Sequence, residues 1–70
     1  MKNTYLITGR FDDIDSLYSI LIKRKMNPNL EIDSYGNSTI VISLDSFELG
    51  EIRSIKQNNR FKIYISSYNK

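Results

Sequence analysis

The segment from Leu30 to Leu44 constrains this chain most. Leu30-Glu31-Ile32-Asp33-Ser34-Tyr35 alternates apolar and polar residues. Thr39-Ile40-Val41-Ile42-Ser43-Leu44 alternates again, with three β-branched aliphatic residues in succession. Gly36-Asn37, a tight-turn pair, stands between them. Two period-2 runs joined this closely form a β-hairpin, and its apolar side needs cover. The remaining residues must supply that cover.

Upstream, Thr4-Tyr5-Leu6-Ile7-Thr8-Gly9-Arg10-Phe11 is rich in aromatic and β-branched residues and reads as a strand. Asp12-Asp13-Ile14-Asp15 then opens a helix over about residues 13–26, with Asp12 as the cap and an acidic first turn against the helix dipole. Ile14, Leu17, Tyr18 and Leu21 form its apolar stripe. Lys23-Arg24-Lys25 occupies the last turn, and Asn27-Pro28 ends the helix because proline disfavours α geometry in the residue before it. Downstream, Asp45-Ser46-Phe47-Glu48 resembles a capping box. Leu49, Ile52 and Ile55 follow on one side of a second helix over about residues 46–57, which Gly50 weakens. Gln57-Asn58-Asn59 is a turn, Arg60 to Ser66 alternates as a last strand, and Ser67-Tyr68-Asn69-Lys70 is expected to fray.

The order is β-α-β-β-α-β within one small domain, residues 1–70. Right-handed crossovers place both helices on one face of a four-stranded antiparallel sheet, in spatial order 4-1-3-2. This is an α+β, ferredoxin-like arrangement, expected from the pattern of elements and host to many functions.

Alternation also assigns faces. Ile40, Ile42 and Leu44, with Leu30 and Ile32 beside them, should face the helices. So should Phe61, Ile63 and Ile65, and Tyr5 and Ile7, with Gly9 giving a helix room to approach. The open face then shows Leu6, Thr8 and Arg10; Thr39, Val41 and Ser43; a basic edge with Lys62, Tyr64 and Ser66; and an acidic edge with Glu31, Asp33 and Tyr35.

Chemistry is bounded mainly by what is absent. The chain has no Cys and no His, which removes disulfides, thiolate nucleophiles, the usual zinc sets and imidazole catalysis. No cofactor is expected. Ten basic against eight acidic residues leave a net charge of +2, too small to announce a nucleic-acid partner. Asp12, Asp13 and Asp15 are the only carboxylate cluster, and a helix start explains them better than a metal does. A nucleic-acid reader of this topology stacks bases on aromatics of its central strands, but Thr39-Ile40-Val41-Ile42-Ser43 has none. There is no Cys-x-x-Cys loop for a metal carrier. Gly9-Arg10-Phe11-Asp12 leads into acidic residues, unlike the phosphate cradle of an acylphosphatase. The Gly-containing turn of amino-acid-sensing domains is missing as well.

A non-enzymatic binding module remains. Its expected contact residues are Leu6, Arg10, Tyr35, Val41, Phe47, Lys62 and Tyr64, and its expected partner is a protein. Phe47, Ile20 and Ile22 sit beside their helix stripes as surplus apolar groups, so a homodimer is expected too. The alternatives are a small nucleic-acid or nucleotide binder using Arg10, Arg60, Lys62 and Tyr64 on the basic edge, and a homodimeric structural or ligand-sensing domain. That edge also has a plain account, as protection against aggregation. Eleven Ile, seven Asn and six Lys with no Ala suggest an A/T-rich gene. A phage or mobile-element protein inhibiting a host complex, such as an immune nuclease, fits that style. No apolar run is long enough to cross a membrane, and Met1-Lys2-Asn3-Thr4 starts no adequate signal peptide, so a cytoplasmic location is expected.

Overall fold

In the computed structural model, which describes residues 1–68, the elements run β1 (Asn3–Gly9), α1 (Phe11–Lys23), β2 (Asn29–Ile32), β3 (Ser38–Leu44), α2 (Ser46–Asn59) and β4 (Ile63–Ser67). The strands form one antiparallel sheet in the order β2-β3-β1-β4, as alternation and crossover handedness predict. Ile14, Leu17 and Leu21 of α1 and Ile52 and Ile55 of α2 share a single core with Ile7, Ile40, Ile42, Leu44 and Ile63. Both helices therefore cover the same sheet face. The fold is the ferredoxin-like α+β arrangement.

Register explains the core. Ile7 stands opposite Ile40 on one side and Ile65 on the other, while Tyr5 stands opposite Ile42. Opposed residues of an antiparallel pair share a face, so the apolar positions of three strands line up beneath the helices. Leu30 and Ile32 differ from expectation. Leu30 opposes Ile40 and Ile32 opposes Ser38, so they lie on the helix side, yet they remain 37% and 66% exposed. The helices pack on the central strands and leave the edge strand uncovered.

Several boundaries shift for physical reasons. Phe11 belongs to α1 rather than to the first strand, and Arg10 is the N-cap without any side-chain hydrogen bond. Asp12 does not cap. Asp13 instead accepts the Lys62 backbone N–H at 2.8 Å, tying the helix start to the strand opposite. Helix α1 closes at Lys23, two residues before Lys25 takes positive φ, and Asn27 does the same before Pro28. The expected turn at Gln57-Asn58-Asn59 is helical, because Arg60 in the left-handed conformation terminates α2 instead. Tyr35 lies in the β2–β3 turn, not in a strand, and Lys62 immediately precedes β4. The expected fraying stops short of Ser67, which is in β4, and of Tyr68, whose N–H donates to the Thr4 carbonyl. Asn69 and Lys70 lie outside the described residues.

Two local devices hold these elements in place. Asp45 and Glu48 form a complete capping box, with Glu48 N–H donating to Asp45 Oδ1 at 2.8 Å and Asp45 N–H to Glu48 Oε1 at 3.0 Å. Gly9, at φ +158, leaves no space for a side chain. A Cβ there would collide with the Lys62 carbonyl oxygen and come within 2.9 Å of Ile63 Cα. The close approach is strand to strand, not helix to strand as alternation alone suggests. Two expectations follow for urea unfolding followed by circular dichroism. Gly9→Ala should destabilise by about 1–3 kcal/mol, the cost of overpacking. Asp45→Ala should cost about 1 kcal/mol, the value of a lost cap.

Candidate binding surface

Among the described residues, nothing packs on the sheet face away from the helices. Its centre is the directly opposed pair Leu6 and Val41, both half-buried between neighbouring strands. Thr4 and Ser43 oppose each other one row along, with their hydroxyls 3.3 Å apart. Ser66 opposes Leu6 from β4, and its hydroxyl donates to the Leu6 carbonyl at 3.5 Å. Two aliphatic side chains framed by short hydroxyl residues make a low, smooth surface.

Arg10, Lys62 and Tyr64 gather at one corner of this face. Arg10 N–H donates to the Lys62 carbonyl at 3.3 Å, and Tyr64 opposes Thr8 two residues further along. Tyr64 is 71% exposed. Lys56, from α2, reaches round the edge until its ammonium stands 5.9 Å from the Tyr64 ring centroid. That spacing allows a cation–π contact and gives the ring one charged neighbour.

Five of the seven expected contact residues therefore share one face, in two adjoining groups. The other two do not join them. Tyr35 projects from the β2–β3 turn at the far edge, and Phe47 is 76% exposed on the first turn of α2, in the helix layer. Arg53, Lys56 and Arg60 went unremarked as a group in the sequence, yet they line a cleft of about 410 Å³ with Gln57 and Phe61. Their spacing at i, i+3 and i+7 was the available signal. It becomes visible only once α2 continues to Asn59.

Charge is sorted between the two edges. Among the described residues the ion pairs are Lys2–Glu48 at 3.3 Å and Arg24–Glu51 at 3.2 Å. Arg10, Arg53, Lys56, Arg60 and Lys62 take part in neither. The opposite edge carries Glu31 and Asp33. A second hollow, about 330 Å³, opens beside Val41, Asn29 and Ser43. It exists because β2 has four residues against seven in β3, which leaves the end of β3 without a neighbour there. No group of three His, Cys, Asp or Glu residues among the described residues could hold a metal ion, and no helix is long and apolar enough to cross a membrane.

Asp33 organises the β2–β3 turn. Its Oδ1 accepts from Tyr35 N–H at 2.8 Å and Asn37 N–H at 2.9 Å, and its Oδ2 from the Asn37 side-chain amide at 3.3 Å. Gly36 supplies the positive φ of 84° that the turn requires. The Asn37 backbone N–H does most to hold the Asp33 carboxyl below its ordinary 3.8; slight desolvation opposes it, and Tyr35 adds to the lowering. A depressed folded-state pKa means that the charge stabilises the turn fully above pH 3.8, and that the contribution fades as pH falls from there through the lowered value. In an NMR titration, the Tyr35 and Asn37 amide shifts should therefore move with a midpoint below 3.8. A midpoint at or above it would show that these hydrogen bonds do not form in solution.

No protein-family model matches this chain, and no curated protein matches it at a meaningful level.

Proposed function

We propose that this protein is a non-enzymatic binding module whose open sheet face docks on an acidic-rimmed protein surface. The observation that carries this reading is the Leu6–Val41 pair in register beside Arg10, Lys62 and Tyr64. An aliphatic centre with an arginine and a tyrosine at its margin has the make-up of an interface hot spot: the centre loses water, and the margin selects the partner by charge. Without a thiol or an imidazole, the chain lacks the most nucleophilic side chain and the commonest proton shuttle. The biological setting we favour is a phage or mobile-element accessory protein that occupies the working surface of a host complex, for example an immune nuclease. Its place of action is the host cytoplasm.

The cleft formed by Arg53, Lys56, Gln57, Arg60 and Phe61 favours a second reading, a small nucleic-acid or nucleotide binder that uses the basic edge. Cations beside an aromatic ring can follow a phosphate backbone and stack a base.

Affinity capture from host extract, with the captured species identified by mass spectrometry, tests both readings. Val41→Glu and Tyr64→Ala should each cut capture at least tenfold while circular dichroism stays unchanged. Phe47→Ala, in the helix layer, should leave capture intact. Retention of capture by the face variants and its loss in Phe47→Ala would mean that the helix layer is the docking surface. Capture of nucleic acid that falls steeply between low and moderate salt, and that Arg53→Ala with Arg60→Ala abolishes, would support the second reading instead.

A further inference from the structure

The two edges of this sheet carry unused backbone hydrogen-bonding groups, and they match each other. Flanking β4, Lys62 and Tyr68 turn inward: Arg10 N–H donates to the Lys62 carbonyl, and Tyr68 N–H donates to the Thr4 carbonyl. Ladder groups alternate along a strand. Ile63 and Ile65 therefore point theirs outward. Just after β2, Asp33 N–H donates inward to the Asn37 carbonyl. By the same alternation, Leu30 and Ile32 face outward.

Direction and register also agree. Strand β2 is antiparallel to β3, β3 to β1, and β1 to β4, so β2 and β4 run in opposite senses. A second copy placed alongside in the same orientation would present its β2 antiparallel to the first copy's β4. Within one molecule, Leu30, Ile40, Ile7 and Ile65 form a single row across the sheet. Continuing that row without a shift sets Ile65 against Leu30 of the next copy, and Ile63 against Ile32. All four lie on the helix face with backbone groups directed at one another. On the open face, the same register sets Tyr64 against Glu31 and Lys62 against Asp33.

We propose that copies of this protein associate head to tail, β4 of one adding to β2 of the next in this register. The contact pairs apolar side chains on the helix face and opposite charges on the open face. It also gives the exposed Leu30 and Ile32 aliphatic neighbours. The alternatives that use one edge twice are disfavoured by charge. A two-fold β2–β2 contact brings the acidic edges together, and a two-fold β4–β4 contact does the same for Lys62 and its basic neighbours. A head-to-tail contact is heterologous and closes only if its rotation brings the chain back on itself. Sheet twist of about 20–25° per strand turns each four-stranded copy by about 80–100° around the direction of growth. The product is an open, twisting chain of copies rather than a ring.

Sedimentation velocity and light scattering from micromolar to millimolar concentration test this. The average mass should climb with concentration without levelling at two copies, and added salt should reduce it. Glu31→Lys sets lysine against Tyr64 and diagonally beside Lys62, and Lys62→Glu sets glutamate directly against Asp33 and diagonally beside Glu31. Each variant, shown folded by circular dichroism, should need at least tenfold more protein to associate. An equimolar mixture of the two should associate more readily than either variant alone, because Lys62 of the Glu31→Lys copy meets the intact Glu31 and Asp33 of the Lys62→Glu copy. A single-copy mass up to millimolar concentration, a plateau at two copies, or a mixture no better than its components would overturn the proposal.

Discussion

The opposed pair Ile7 and Ile40 is the interaction on which the rest of the molecule depends. Both are fully buried where β1 and β3 pair, in the cluster that residues of both helices join. Burying one such side chain contributes about 1.5–3 kcal/mol, and each helix stripe adds its own aliphatic residues to the same cluster. A chain of this length can build only one such cluster. The helices accordingly settle over the central strands and reach Ile63 of β4, and the edge strand β2 is left with little cover.

That economy makes surfaces. The face away from the helices stays open, with Leu6 and Val41 as its apolar centre. Both sheet edges keep free backbone groups. Leu30 and Ile32 have the alternation of core residues and the exposure of surface ones, since alternation assigns a side but not a covering layer. The same economy explains Gly9, where β4 comes so close to β1 that no Cβ fits.

Electrostatics then gives the two edges different characters. Five cations lie along the β4 side outside any ion pair among the described residues, while Glu31 and Asp33 lie on the β2 side. Asp13 is the exception that joins layers, holding a strand N–H from the start of α1. Its neighbours made it look like part of a helix cap. Only the spatial return of the chain at Lys62 gives it another use. The Arg53–Lys56–Arg60 stripe was hidden similarly, because three consecutive polar residues at Gln57-Asn58-Asn59 resemble a turn until the helix is seen to run through them.

What the sequence by itself determined is the set of local choices. Period-2 runs became strands, the 3.6-residue stripe of Ile14, Leu17 and Leu21 became a helix, and Asp45 with Glu48 closed a capping box. Chain order and crossover handedness then left few topologies, of which the observed one was the simplest. These features depend on near neighbours and on chirality, so they can be read along the chain. Tertiary structure alone decided the rest: which apolar residues are covered, that Arg10, Lys62 and Tyr64 form one corner, and that Tyr35 and Phe47 stand apart from it. Those outcomes depend on where the helices come to rest and on how strands distant in sequence align. Such distances are set by packing, which no local pattern encodes.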